Sequence, residues 1–386
     1  MSGPFVFLHS THRVQFGPGC LSALPDLARA EGRRKAAILL DAYFMGGPLQ
    51  DRLSEILKDF APVFHAVPQH EPDTDTVEGA RAALSQAEAD LILAVGGGST
   101  LDTAKAARML LSNPGPIENI VGAMGMPMIA HDSLFVAVPT TAGTGSEVSE
   151  SAVIAKTGTD YKMVLRSPNM AARLALLDPE LGVTAPPGVT ATAGYDAITH
   201  AVEAYTSKFA TVMTDPFARS AMELLAVSLP IAFEKPDDIE ARGNCLIGSM
   251  QAGIAFNSAH LGLAHAIAGA LGALHHVPHG LANALALPWS MAFNQPALGA
   301  KGEIVAGIFK GASSAAGLSA MRKKVALDIG LDKFVPTDAE RDLVAEGAAK
   351  SGQIKVNPRL ASAAEIRVIL EHMRQPTEGL QPNLNL

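Results

Sequence analysis

Leu91-Ile-Leu-Ala-Val-Gly-Gly-Gly-Ser-Thr-Leu-Asp-Thr-Ala-Lys105 passes from a short, wholly apolar run through three glycines into residues with helical spacing. A run of that length without alternation, closed by glycine, is a strand buried on both faces. Leu101–Leu111 continues it as a helix. The same unit recurs on either side. Ala36–Leu40 reads as a buried strand followed by an amphipathic helix over Leu49–Asp59, and Val63–Val67 as a strand followed by a helix over Thr74–Ala87. Leu134–Val138 is a strand that stops at Pro139, and Leu174–Leu177 is a last strand that stops at Asp178-Pro179. Phe5–Leu8 and Val14–Phe16 read as an opening pair of strands. This alternation predicts an α/β domain whose parallel sheet is covered on both faces. Past about residue 180 the pattern changes: Pro186-Pro187 punctuates the chain, and Ala/Leu/Gly-rich helical periodicity follows to the end. Two domains are expected, α/β over 1–180 and all-helical over 181–386.

The composition fits that plan and narrows the function. The 386 residues suit two domains. They are 48% hydrophobic but only 5% aromatic, so the core is mainly aliphatic, and 18% charged with mean hydropathy +0.20 is too apolar for disorder. Thirty basic against 38 acidic residues give a net charge of −8. With no basic cluster, nucleic acid and anionic membrane are not expected partners. The two cysteines, Cys20 and Cys245, form no CxxC pair, which excludes a disulfide scaffold and a thiolate zinc site. Met1-Ser-Gly-Pro-Phe-Val-Phe-Leu-His9 has no basic n-region and too short an apolar run for an export signal, so a cytoplasmic enzyme is expected. Between Arg242 and Lys301 there is no Asp, Glu, Lys or Arg. Gln251, Asn257, several histidines and Pro278 interrupt that stretch, so it reads as buried helices of a globular domain rather than a membrane span.

Two hydroxyl- and glycine-rich loops follow predicted strands. In the first, Gly96-Gly97-Gly98-Ser99 opens a helix whose terminal amides suit an anion such as pyrophosphate. It is not the GxGxxG fingerprint, and by itself it equally describes a tight turn with no ligand. The second, Val138-Pro-Thr-Thr-Ala-Gly-Thr-Gly-Ser-Glu-Val-Ser149, sets Thr140, Thr141, Thr144 and Ser146 among two glycines. Alone it is also a polar surface turn. Two such loops, each after a parallel strand, together favour a nucleotide.

The histidines point elsewhere. Half of the chain's 12 fall between positions 200 and 279: His200, His260, His265, His275, His276 and His279. Asp196 and His200 lie four apart, on one helical face. Buried imidazoles need partners, and a divalent metal supplies one; a carboxylate with three imidazoles suits Fe²⁺ or Zn²⁺ better than Mg²⁺ or Ca²⁺. Each histidine taken alone is as well read as an ordinary core or surface residue, so spacing leaves the site open.

Jointly these segments resemble the iron-containing (group III) alcohol dehydrogenases. The likeness rests on GGGSTLDTAK, VPTTAGTGSEVS, LLDPEL (Leu176–Leu181), GYDAITHAVEAYTS (Gly194–Ser207), GLAHAIAGALGALHHVPHGLANALALP (Gly262–Pro288) and Asn357-Pro-Arg359, in family order across nearly the whole chain. The resemblance implies a Rossmann-like N-terminal domain for a nicotinamide dinucleotide and an all-helical C-terminal domain for the metal, the two-domain plan shared with dehydroquinate synthase. It implies Asp196, His200, His265 and His279 as ligands of Fe²⁺, with Zn²⁺ also compatible. It places Gly97, Gly98 and Ser99 at the pyrophosphate, and Thr140, Thr141 and Thr144 along phosphate and ribose with Lys162 nearby. Asp102 falls near the nicotinamide. Asp41 matches the carboxylate that meets the adenosine ribose, which favours NAD⁺ over NADP⁺ because a carboxylate repels a 2′-phosphate.

One position departs from the family pattern. Many members carry a further histidine four residues after the third ligand, thought to help relay the substrate proton; here Gly269 stands there. Either the proton leaves through the ribose hydroxyl and water, or His275 or His276 substitutes. The expected reaction is reversible hydride transfer between a primary or small secondary alcohol and the nicotinamide, in a homodimer. A maleylacetate-reductase-like or hydroxyacid–oxoacid enzyme is the main alternative and needs a cation at the substrate, for which Lys162, Arg166 and Arg359 are the candidates. A zinc-dependent glycerol-dehydrogenase-like enzyme, a lyase and a catalytically silent nucleotide-binding subunit are the others.

Overall fold

The computed structural model describes residues 11, 13–120, 128–159 and 161–376. The expected strand Phe5–Leu8 lies outside them. The chain divides into two compact units after Thr184, against an expected boundary near residue 180.

The first unit is built on a six-stranded sheet of β1 (Arg13–Phe16), β2 (Ala36–Asp41), β3 (Val63–Val67), β4 (Leu91–Gly96), β5 (Leu134–Pro139) and β8 (Leu174–Leu177), in the order β1-β8-β5-β4-β2-β3. Every pairing is parallel. Alternate side chains of β4 enter different cores: Leu91, Leu93 and Val95 pack with α1 (Leu24–Ala30) and α2 (Pro48–Ile56), while Ile92 and Ala94 pack with α3 (Thr74–Ala87) and α4 (Gly98–Ser112). Burial on both faces is why the strands read as unbroken apolar runs. The strand order reverses between β2 and β4. Their carboxyl ends therefore border the crevice where doubly wound sheets take ligands.

A two-stranded antiparallel ribbon, β6 (Ser151–Ala155) and β7 (Lys162–Arg166), adds a feature that the sequence reading passed over. It packs against α4 on the side away from the sheet. This explains why the middle of α4, from Thr103 to Leu110, is buried all round, Lys105 and Arg108 included.

The second unit holds nine helices among the described residues, beginning with α5 (Pro187–Thr206), α6 (Asp215–Glu234), α7 (Ile239–Ala259), α8 (Leu263–His275) and α9 (His279–Leu298). Then come α10 (Ala300–Ile308), α11 (Ser314–Lys324), α12 (Asp338–Ala349) and α13 (Ala363–His372). By length and composition α6 passes as a membrane span, and so does the α7–α8 pair if taken as one element. However, α6 packs along α5 and α7, and the α7–α8 pair is bent by 100°. The charge-free stretch is thus folded into α7, α8 and α9, and the bend after Ala259 turns α8 so that its first turn meets α5.

Candidate metal centre and cofactor loops

Pro187 starts α5 with the one residue whose missing N–H costs nothing in a first turn. Nine and thirteen residues on, Asp196 and His200 project from one face. His265 comes from the first turn of α8 and His279 is the first residue of α9. One ligand atom from each of the four lies within 4.8 Å of the others. Asp196 Oδ1 is 3.9 Å from His200 Nε2, 3.8 Å from His265 Nε2 and 3.7 Å from His279 Nε2. A tetrahedral ion with ligands at ~2.1 Å sets its ligand atoms roughly 3.4 Å apart, so the cage is close to the size such an ion requires. Asp196, His200 and His265 are buried, whereas the His279 side chain is 48% exposed, so the cage opens on that side.

The electrostatics fit a cation. Burial opposes the charge on Asp196, but His200, His279, His265 and the Asn283 amide outweigh it and hold the carboxyl below its ordinary value. Burial, with His200 and His279 alongside, holds His265 well below the usual histidine range and keeps its ring neutral. Asn283, one turn along α9 from His279, sends Nδ2 to 2.6 Å from Asp196 Oδ1, 3.1 Å from His265 Nε2 and 3.2 Å from His279 Nε2. One NH₂ has two protons for those three atoms. Its own Oδ1 is buried without a hydrogen-bond partner. A converging set of acceptors left short of positive charge is what a divalent cation satisfies, and this donor set fits Fe²⁺ or Zn²⁺.

Of the other histidines, neither His275 nor His276 belongs to the four-ligand cluster. His275 ends α8 and interacts with Glu340 of α12, and its Nε2 is buried without a partner. His276 caps α8 in a left-handed conformation, φ 52°. Gly269 lies one turn after His265, and a Cβ placed there meets nothing within 4 Å.

In the first unit the two hydroxyl loops interlock at the carboxyl ends of β4 and β5. Thr140 N donates to Gly96 O. A Cβ at Gly96 would lie 2.5 Å from Thr100 Oγ1 and 2.9 Å from Asp41 Cβ; one at Gly98 would lie 2.5 Å from Thr144 Cγ2, and one at Gly97 3.3 Å from Thr141 Oγ1. The glycines are there because strand ends and loops close on one another. Asp41, Gly97, Gly98, Ser99, Thr140, Thr141 and Thr144 are thereby brought to the carboxyl end of the sheet, beside the first amides of α4. Asp41 Oδ1 accepts from Tyr43 N at 2.9 Å.

Two expected cofactor residues are engaged internally. Asp102 Oδ1 accepts from Ser146 Oγ at 2.5 Å and Oδ2 from Val153 N at 2.9 Å, which joins α4, the second loop and β6. Lys162 lies at the turn end of β7 and pairs with Glu71 at 2.5 Å. Arg166 pairs with Glu150 and Arg359 with Glu365, so all three candidate cations for an acidic substrate already hold a carboxylate.

The model of the family described as "Iron-containing alcohol dehydrogenase" matches residues 11–179, and that of "Fe-containing alcohol dehydrogenase family, C-terminal" matches residues 190–373. The chain belongs to the iron-containing alcohol dehydrogenase family. It is 40% identical over 284 residues to the probable alcohol dehydrogenase EutG of Salmonella typhimurium, covering 72% of this chain and 71% of that one. It is 32% identical over 372 residues to the NAD-dependent methanol dehydrogenase of Bacillus methanolicus, covering 92% and 96%. Among solved structures it superposes on a 1,3-propanediol oxidoreductase with TM-score 0.89 at 30% identity, over 96% of this chain and 100% of that one. Like other iron-containing alcohol dehydrogenases, this chain is an oxidoreductase.

Sequence reasoning missed three residues of these sites: Lys105, Glu203 and Asn283. Lys105 Nζ donates to Ser146 Oγ at 2.7 Å, Ser149 Oγ at 3.0 Å and Ser151 O at 3.0 Å. Burial pulls its pKa down to about 8 against the pull of Asp102 and Glu147. Glu203 is buried beside His265. A signal for it existed, since Asp196, His200 and Glu203 stand at i, i+4 and i+7 on one helical face.

Proposed function

We propose that the chain catalyses reversible, NAD-linked hydride transfer between an uncharged primary or small secondary alcohol and its aldehyde or ketone, with Fe²⁺ held by Asp196, His200, His265 and His279. The observation that carries this reading is the four-residue cage with its one exposed side. When bound, the iron supplies a Lewis acid for the alcohol oxygen and the nicotinamide supplies the hydride acceptor. Asp196 contributes the only negative charge among the ligands, and the neutral His265 ring offers a lone pair rather than a proton. Gly97, Gly98 and Ser99 present amides at the start of α4 to the diphosphate, with the hydroxyls of Thr140, Thr141 and Thr144 across from them. Asp41 takes the adenosine ribose. Asp102 and Lys105 act by fixing the second loop.

The choice of NAD⁺ is supported by the names of two relatives. The Bacillus methanolicus methanol dehydrogenase is NAD-dependent, and a sulfoacetaldehyde reductase from Bifidobacterium kashiwanohense, 26% identical with TM-score 0.89, was crystallised with NAD⁺. A butanol dehydrogenase of Clostridium saccharobutylicum, 34% identical over 284 residues, is NADPH-dependent, so the choice rests on individual side chains. An uncharged substrate is supported by the carboxylate partners of Lys162, Arg166 and Arg359. That neither His275 nor His276 belongs to the ligand cluster favours a proton route through ribose hydroxyl and water; unchanged pH–rate profiles in His275→Ala and His276→Ala are the expected result. A homodimer is supported by β1, which pairs only with β8 among the described residues and exposes Val14 and Phe16. Two free, buried cysteines suit the cytoplasm.

The test follows NADH oxidation by a panel of aldehydes, comparing chelator-stripped protein with the same sample reloaded anaerobically with Fe²⁺. Turnover is expected only after reloading. Equal turnover in both samples overturns the reading. A separate expectation concerns Lys105→Met, which leaves Ser146 Oγ, Ser149 Oγ and Ser151 O short of a buried donor, worth about 1.5–3 kcal/mol, or roughly 10- to 100-fold. This loss should fall on the KM for NAD⁺ with kcat little changed, and titration of NADH fluorescence measures it directly.

A further inference from the structure

Glu203 has no place in the ligand cage, yet it holds one ligand and the start of the helix that carries it. Its Oε2 lies 2.7 Å from His265 Nδ1 and accepts from Gly262 N at 2.9 Å, while Oε1 accepts from Ala264 N at 2.7 Å. The first turn of a helix leaves amides without partners, and in a buried helix those amides need acceptors. Glu203 supplies two at the start of α8, and Asn357 Oδ1 takes a third from Leu263 N at 3.1 Å. Both acceptors crowd Gly262, where a Cβ would lie 2.7 Å from Asn357 Oδ1 and 3.2 Å from Glu203 Oε1. The carboxylate is 4% exposed, so these bonds form away from water.

We infer that Glu203 is a positioning residue for the metal centre: it fixes the proton of His265 on Nδ1 and locks α8 to α5, so that the lone pair of His265 Nε2 is turned into the cage beside Asp196. An imidazole that donates from one nitrogen to a carboxylate is held in one tautomer and one orientation, and its other nitrogen becomes the better donor to a metal. Three turns of the same helix therefore supply a carboxylate ligand, an imidazole ligand and the carboxylate that orients a ligand from the next helix. Glutamine at 203 keeps the shape but not the role. Its amide has one acceptor oxygen, and its NH₂ must face either the Ala264 amide or the Gly262 amide and the His265 Nδ1–H.

The inference rests on the metal-centre reading, and the test separates the two. Affinity for Co²⁺ is measured by chelator competition on the full-length protein, together with the visible spectrum of the Co²⁺ form and thermal melting without metal. Glu203→Gln is expected to weaken Co²⁺ binding by about 10- to 100-fold and to shift the ligand-field bands. Asn357→Ala removes a neighbouring α8 acceptor that does not touch His265. It is expected to lower the melting temperature while leaving the Co²⁺ affinity within about threefold of wild type. Wild-type affinity and spectrum in Glu203→Gln overturn the inference, as does an equal loss of affinity in Asn357→Ala. If Glu203→Gln does not accumulate as folded protein, Glu203→Asp decides: it keeps the charge but draws back from His265. Weakened binding is expected there and unchanged binding overturns the proposal. A wild-type protein that binds no Co²⁺ overturns the metal-centre reading and this inference with it.

Discussion

An Asp196→Ala variant is expected to lose turnover by on the order of a thousandfold or more, because a Lewis acid supplies several kcal/mol of barrier lowering and each 1.36 kcal/mol is tenfold in rate. Asp196 Oδ1 is the atom from which all three imidazole nitrogens are nearly equidistant, at 3.7 to 3.9 Å. Without it the cage keeps three imidazoles and no carboxylate to balance the ion. The metal-stripped variant should melt below metal-stripped wild type, since the buried carboxylate is held ionised by its neighbours and its loss leaves the Asn283 amide short of an acceptor. Iron should raise the melting temperature of wild type alone, as a ligand of the native state must. NADH binding should persist, because the residues assigned to it belong to the other compact unit. Metal analysis, NADH fluorescence titration and turnover on the same samples measure all three. Turnover within tenfold of wild type would show that Asp196 is not a ligand.

The α/β half of the fold was legible because burial on both faces writes itself as unbroken apolar runs, and Leu91–Val95 is a strand for the reason that predicts it. The β6–β7 ribbon was not. Its alternation spans only Ser151–Ala155 and Lys162–Arg166, and it exists to cover a helix rather than to extend the sheet. Missing the ribbon also hid Lys105: on a helix covered from one side that lysine faces solvent, whereas here it is wholly buried and ties three segments together. The metal ligands were open from spacing and specific only through the family resemblance, because His265 and His279 lie far along the chain from Asp196 in apolar surroundings. Glu203 and Asn283 act through contacts that reach 61 and 87 residues along the chain. A helical-face reading of α5 would have paired Glu203 with Asp196, but nothing in the sequence says which imidazole it meets. Asp102 and Lys162 show the converse. The resemblance assigns them to the cofactor, while in the structure Asp102 is held by Ser146 and Val153 and Lys162 by Glu71.

Asp41→Ser is expected to relax or reverse the preference for NAD⁺. Asp41 stands at the carboxyl end of β2, where the strand order reverses, with its Cβ 2.9 Å from where a Cβ on Gly96 would be. A side chain at that edge is where a doubly wound sheet meets the adenosine ribose. The backbone amide of Tyr43 holds one carboxylate oxygen at 2.9 Å, so the group is oriented rather than free to swing aside. At about 5 Å and an effective dielectric near 20, the repulsion between a carboxylate and a single phosphate charge is roughly 3 kcal/mol, or about a hundredfold in relative affinity. Serine removes that repulsion and keeps a small oxygen acceptor for Tyr43 N, so the turn over Ala42–Phe44 should survive. The ratio of kcat/KM for NADP⁺ to that for NAD⁺ should therefore rise by about two orders of magnitude. Most of the change should come from a gain with NADP⁺ rather than a collapse with NAD⁺, because the ribose loses one hydrogen-bond acceptor but meets no new charge. An unchanged ratio would place the adenosine ribose away from β2 and remove the reason for expecting NAD⁺.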